Sequence, residues 1–309
     1  MKQTAAASLA ALVLALGCAK KETPAPDTAA TTPPPAPHKV ASIAGFSTPE
    51  SVIWSAKANA WFVSNINGSP VARDGNGFIS RVNRDGAVDS LHFIQGGRDG
   101  VTLNGPKGLA LVGDTLWVAD IDAIRAFDIT NGKPVASIEL GKQATFLNDV
   151  ATGPGGVIYI TDSGLGFDDK GNPTHPGPDK IFGLSGRTAK MVATGDWLNR
   201  PNGITWDEAN SRFIVVPFGG TALLGWKPGV QKVDTVGTGP GSQDGVEIVG
   251  GDLLVTSWAD SSVFKVGATG NTKVATGVTS PADFGVDQTR GLIAIPLFTQ
   301  NTVEVWQVK

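Results

Sequence analysis

Six times along the chain, a polar lead-in opens a β-type run. The openings are Pro49-Glu50-Ser51-Val52-Ile53-Trp54, Pro106-Lys107-Gly108-Leu109-Ala110, Leu147-Asn148-Asp149-Val150-Ala151, Pro201-Asn202-Gly203-Ile204-Thr205-Trp206, Gln243-Asp244-Gly245-Val246-Glu247 and Pro281-Ala282-Asp283-Phe284-Gly285. Counted at the second residue of each, they are spaced 57, 41, 54, 42 and 38 residues apart, close to the ~40–50 residues of a four-stranded propeller blade. Each opening is followed by a second β-type run, ending at Asn65, Asp120, Asp162, Pro217, Trp258 or Leu297, and by a third such as Phe78-Ile79-Ser80-Arg81-Val82. No amphipathic helix interrupts them, and Gly, Pro, Asn and Asp clusters separate them. The pattern predicts an all-β fold, a six-bladed β-propeller of four-stranded blades.

The sixth unit reaches Lys309 with three strands, while an orphan run, Lys39-Val40-Ala41-Ser42-Ile43, precedes the first unit. The two ends are predicted to complete one blade, leaving the ring no open seam and no bare strand edge. The propeller is accordingly assigned to residues 39–309.

Upstream, Lys2 and the apolar run Ala5 to Gly17 have the form of a signal peptide, too short for the ~20 residues of a membrane-spanning helix. Leu14-Ala15-Leu16-Gly17-Cys18 resembles the lipobox of bacterial lipoproteins, which implies cleavage after residue 17 and lipidation of Cys18; an ordinary secretory signal leaving Cys18 free is the alternative. Residues 18–38, rich in Thr, Ala and Pro, read as a disordered tether. The expected location is the periplasmic face of the bacterial cell envelope, with the lipid as the only membrane attachment. One Cys and three His exclude a disulfide framework and Cys-based zinc sites, and a net charge of −3 gives no general attraction for nucleic acid. The expected state is a monomeric propeller with a small-molecule partner.

In a propeller the innermost strands line a central channel, so the second residues of the openings should ring one mouth of it. That ring reads Glu50, Lys107, Asn148, Asn202, Asp244 and Ala282. Asn-Gly and Asp-Gly are common turn dipeptides taken singly. In register, four oxygen-bearing side chains converge, and hard oxygen donors suit one divalent cation, calcium above zinc.

Pro49-Glu50 with Trp54, Asn148-Asp149 followed by Tyr159-Ile160-Thr161-Asp162, Pro201-Asn202-Gly203-Ile204-Thr205-Trp206 and Asp244-Gly245 resemble the gluconolactonase and regucalcin-like family of six-bladed propellers. The resemblance covers the chain from about Val40 to Lys309. It implies that Glu50, Asn148, Asn202 and Asp244 hold the cation, with Asp244 as candidate base in lactone hydrolysis. Many sugar-lactone hydrolases of that family carry an Arg two residues before the first ligand Asn and a Gly two residues after it; here those positions are Phe146 and Val150. Lys107 is open to two roles, a catalytic anchor or oxyanion donor in place of that Arg, or a structural partner of a channel carboxylate. Asp149 either hydrogen-bonds behind a ligand or serves as a turn residue. His38 lies by the tether, His92 in an outer strand and His175 in a loop, an arrangement that disfavours a His dyad.

The long loops Ile66 to Asn76 and Ser163 to Asp179 are expected to shape the channel entrance, together with Gln95 to Asn104. Two functions follow: a metal-dependent hydrolase of a small lactone or ester, or a non-catalytic ligand- or protein-binding propeller with a structural calcium ion.

Overall fold

Runs of β-branched and aromatic residues between Gly, Asn and Asp turns favour antiparallel hairpins, and each opening motif begins one. The computed structural model describes residues 35–230 and 233–309. The expected signal at 1–17, the lipidated Cys18 and the tether as far as residue 34 lie outside the described residues. Among the described residues, six four-stranded antiparallel sheets succeed one another along the chain. Their innermost strands are Pro49–Ser55, Pro106–Val112, Leu147–Thr152, Pro201–Asp207, Gln243–Val249 and the short Gly285–Asp287. Each lies against the innermost strand of the next blade, and the sixth lies against the first. This is the six-bladed propeller that the repeat predicts.

Burial falls from the axis outward. The second strand of blade 1, Ala60–Asn65, is buried throughout, whereas the outermost strand of blade 2, Pro134–Glu139, is mostly exposed. Aromatic side chains fill the wedge between blades: fully buried Trp226 lies 5.7 Å from Phe213 in its own blade and 5.9 Å from Tyr159 in the preceding one, ring centre to ring centre.

The ring closes with the N-terminal strand. His38–Ala44 pairs antiparallel with Thr302–Gln307 and completes blade 6. The strand opens at His38, one residue earlier than the sequence suggested. Ala41 and Ile43 pack on Val303 and Val305, and Lys39 Nζ reaches Glu304 Oε1 at 2.9 Å.

A β-bulge recurs at the same place in five blades. In blade 1, Pro49 faces Asn65 and Val52 faces Val63, so Glu50 and Ser51 together oppose Ser64 alone. The same slip falls at Lys107-Gly108, Asn148-Asp149, Asn202-Gly203 and Asp244-Gly245. A bulge interrupts the ladder and re-aims its side chains, which sets these ring residues apart from the alternating pleat. In blades 1, 3 and 5 a hydroxyl on the facing strand accepts from the amide of the second bulge residue: Ser64 Oγ from Ser51 N at 2.8 Å, Thr161 Oγ1 from Asp149 N at 2.9 Å and Thr256 Oγ1 from Gly245 N at 2.7 Å.

The polar residues ending several second strands hold the lead-ins. Asn65 Oδ1 accepts from Ser47 N, Asp120 Oδ1 from the amides of Asn104 and Gly105, and the two Asp162 oxygens from Thr145 N and Phe146 N, at 2.8–3.0 Å. Blade 5 departs from the expected boundary: its second strand is Asp252–Ser257, and Trp258 lies beyond it.

Candidate active site

Five of the six ring positions converge as predicted. Glu50, Lys107, Asn148, Asn202 and Asp244 all line one cavity of about 460 Å³ over the channel mouth, within the size range of small-molecule sites. Ala282 is buried in the lead-in to blade 6 and contributes no polar group. All five lining side chains are themselves buried. Asn148 Nδ2 donates to Ser163 Oγ at 3.0 Å, leaving the amide oxygen as its free donor to a cation.

Two oxygens stand out. Among the described residues, Glu50 Oε2 and Asp244 Oδ1 are buried and make no hydrogen bond, and a buried carboxylate oxygen without a partner is costly. Burial raises the proton affinity of both carboxyls well above the ordinary range; repulsion from Asp244 and Asp283 adds to this for Glu50, and repulsion from Asp283 for Asp244. Asn202 and Trp258 lie close enough to Asp244 to offset part of that rise, although the Trp258 indole N–H also lacks a hydrogen bond of ordinary geometry. Among the described residues, no three His, Cys, Asp or Glu side chains gather as a metal cluster; this donor set is two carboxylates and two amides. Hard oxygens with unsatisfied buried charge fit an oxygen-seeking divalent cation.

Of the two roles open to Lys107, the geometry disfavours the structural ion pair. Its ammonium donates to Gly105 O at 3.1 Å and sits 4.3 Å from the centre of the Phe146 ring, and among the described residues it has no carboxylate within ion-pair distance. Burial lowers its pKa to about 8, against the opposing pull of Glu50.

One residue past each ring position, a second set reads Ser51, Gly108, Asp149, Gly203, Gly245 and Asp283. Asp149 is more than a turn residue: Oδ2 accepts from Ile204 N at 2.7 Å in the next blade and Oδ1 from its neighbour Val150 N at 2.6 Å. Asp283 accepts from Ser51 Oγ and is raised to about 7, chiefly by burial. Its charge reaches Asp149, Asp244 and Glu247, so the carboxylates of the channel act on one another. Asp283 could have been found in the sequence by reading one place past the ring.

The sequence placed Ile66 and Ser163 at the start of loops shaping the entrance but gave no sign of Phe218, Trp258 and Phe298 as cavity wall. The residue directly after the second strand is Ile66, Ser163, Phe218, Trp258 and Phe298 in five of the blades, and all five line the cavity. Each is placed by the same bond, its backbone N–H donating at 2.8–3.0 Å to the carbonyl two residues before the ring residue, on Thr48, Phe146, Arg200, Ser242 or Ser280. Arg200, which stands before Asn202 as Phe146 stands before Asn148, also lines the cavity, and among the described residues its guanidinium makes no ion pair. Its left-handed backbone, φ 61°, is shared by Thr48, Ser242 and Ser280 at the same position.

The two long loops supply the rest of the wall. Pro70 comes from the first, and Leu165, Phe167 and Pro173 from the second, which folds into a small hairpin of Gly166–Phe167 on Pro173–Thr174. Gln95 to Asn104 does not reach the cavity; it braces the first loop through Gly77 N to Leu103 O and Gly75 N to Asn104 Oδ1, both 3.1 Å. His175 turns away into a neighbouring cavity of about 490 Å³, where Nε2 lies 2.9 Å from Asp179 Oδ1. His92 packs on Phe78 in an outer strand, and His38 lies in the closing strand.

No family model matches the chain, and no curated protein matches it in sequence. Solved structures do match in fold. A gluconolactonase from Xanthomonas campestris superposes with a TM-score of 0.64 at 18% identity, over 86% of this chain and 88% of its own. The luciferin-regenerating enzyme gives 0.65 at 12% identity, over 88% and 94%. The PQQ-bound aldose sugar dehydrogenase of Streptomyces coelicolor gives 0.65 at 15% identity, over 89% and 98%. The fold is therefore one that these neighbours share. Sugar dehydrogenase chemistry on the same scaffold means that activity has to be argued from the site.

Proposed function

We propose that this chain is a divalent-cation-dependent hydrolase of a small lactone or ester, held in the bacterial cell envelope by lipid on Cys18. The observation that carries the reading is the pair of buried, unpartnered oxygens, Glu50 Oε2 and Asp244 Oδ1, in the one cavity that also holds Asn148 and Asn202. The four side chains would hold the cation, and calcium suits a set of hard oxygen donors. The Xanthomonas neighbour, a gluconolactonase, supports lactone hydrolysis as the reaction class.

When bound, the cation would polarise the substrate carbonyl and offset the charge that develops on its oxygen. Asp244 takes the proton of the attacking water and returns it to the alkoxide that leaves as the acyl C–O bond breaks. Burial and Asp283 raise its proton affinity, which is the direction a general base needs. Lys107 has N–H groups beyond the one given to Gly105 and can donate one to the developing oxyanion. Arg200 at the wall is a second cation for holding substrate.

Thermal unfolding of the full-length protein, with calcium and with chelator, tests the centre. At a thousandfold excess over the dissociation constant, binding adds ~4 kcal/mol to stability, and Asp244→Ala should abolish the gain. Turnover of a lactone and ester panel, lost with chelator and in the same variant, tests the reaction. Cation binding with no turnover across the panel would leave a ligand-binding propeller pinned by its ion. No stabilisation by calcium, magnesium, manganese or zinc would remove the centre and the hydrolase reading together.

A further inference from the structure

We infer that the substrate carries an aliphatic or aromatic group, seated on the aromatic wall above blades 4 to 6, and is not a polyhydroxylated sugar lactone; this rests on the hydrolase reading above. The polar floor and the apolar wall meet at Trp258, whose ring lies beside Asp244. From there Trp258 stands 5.8 Å from Phe218 on one side and 5.4 Å from Phe298 on the other, so three successive blades present one continuous aromatic surface to the cavity. Leu165 and Phe167 extend it from the hairpin, and Phe167 is 39% exposed at the rim.

The chemistry of the lining decides between substrate classes. A sugar lactone brings several hydroxyls, each of which needs a partner when it leaves water. Away from the four cation-holding side chains, the polar side chains lining the cavity are Lys107, Ser163 and Arg200, and the Ser163 hydroxyl is already engaged with Pro201 O and Asn148. Hydroxyls laid against Phe218, Trp258 and Phe298 would find no donor or acceptor among those side chains beyond the unpaired Trp258 N–H. An alkyl or aryl group there loses nothing and removes apolar surface from water on both sides. A carbonyl held over Asp244 therefore directs its substituent onto this wall.

The test is a binding series with molecules that cannot be hydrolysed. Calorimetry on the full-length, calcium-loaded protein would use γ-lactams with straight alkyl tails from methyl to hexyl, with gluconolactam as the sugar comparator. Each added methylene should tighten binding about fourfold until the wall is covered, and gluconolactam should bind at least about tenfold more weakly than the hexyl compound. Phe298→Ala should flatten the series; Phe298→Leu, which keeps a bulky apolar side chain at the wall, should restore most of the slope and guards against a folding defect. Affinity independent of tail length, or gluconolactam binding as well as the hexyl lactam, overturns the inference. Turnover of the matching lactones separates the two claims. A steep binding series with no hydrolysis under any divalent cation removes the hydrolase reading and leaves the apolar site. Hydrolysis indifferent to the tail does the reverse.

Discussion

Asp149 Oδ2 accepts the backbone N–H of Ile204 at 2.7 Å, so the strand that carries Asn148 is tied to the strand that carries Asn202. The carboxyl sits one residue past one proposed ligand and bonds two residues past the other, and it is buried. Asp149→Ala leaves the amides of Ile204 and Val150 without an acceptor, each costing about 1–3 kcal/mol. The urea midpoint should fall with an unchanged slope, and calcium affinity should fall with it because the blade spacing is no longer fixed. Asp149→Asn keeps an acceptor for one amide and should lose less. Wild-type calcium affinity in the alanine variant would show that the tie does not position the ligands.

Gly203 is required by what stands opposite. A Cβ there would lie 2.3 Å from the Asp244 carbonyl oxygen and 3.0 Å from Val246 N, both backbone atoms of the neighbouring innermost strand. Gly203→Ala must push blades 4 and 5 apart, at a cost of about 1–3 kcal/mol for an overpacked core. Asn202 and Asp244 flank this contact. The calcium-dependent gain in Tm should therefore shrink by more than the loss in apo stability alone accounts for; equal losses with and without calcium would mean the blades absorb the methyl elsewhere.

The repeat made the blades legible because a propeller writes its geometry once per blade. Offsets of Glu50, Asn148, Asn202 and Asp244 from their lead-ins place them on one ring without any three-dimensional information, and the bulge at those positions confirms the common register. The lone run at Lys39 to Ile43 was equally readable, since the last blade lacked a strand. The wall was not. Phe218, Trp258 and Phe298 follow their second strands as apolar residues would follow any buried strand, and Trp258 reads as a strand end. Only the bond each makes to the lead-in carbonyl turns them toward the cavity. Charge coupling was also hidden, because Asp283 acts through space on Asp149, Asp244 and Glu247 in other blades.

Glu247 gives a pH signature away from the proposed ligands. It lies three residues beyond Asp244, and burial and Asp283 raise its pKa from 4.5 to about 8, partly opposed by Thr205 Oγ1 donating at 3.2 Å. In the folded protein it holds a proton that the unfolded chain releases near 4.5. Its contribution to stability is therefore fully present below that value and is lost as pH rises through about 8. Asp283, at about 7, acts in the same direction. In the presence of chelator, Tm should fall between pH ~5 and ~8.5, and Glu247→Gln should flatten that fall. A variant with the same pH profile as wild type would remove Glu247 from the cause.

The closing strand contributes edge protection as well as contacts. Without His38–Ala44, Thr302–Gln307 presents an unpaired edge, and the apolar faces of Val303 and Val305 lose Ala41 and Ile43. Deletion of residues 35–44 should lower the unfolding midpoint of the whole propeller in one transition, since each blade is braced by the next, and should promote self-association through the bare edge. A synthetic peptide spanning residues 35–44 supplies the same ladder in trans and should restore both midpoint and monomer, in the manner of strand addition. A scrambled peptide of equal composition should not. Rescue by the scrambled peptide, or an unchanged midpoint in the deleted protein, would show that blade 6 is stable with three strands and that the ends do not close the ring energetically.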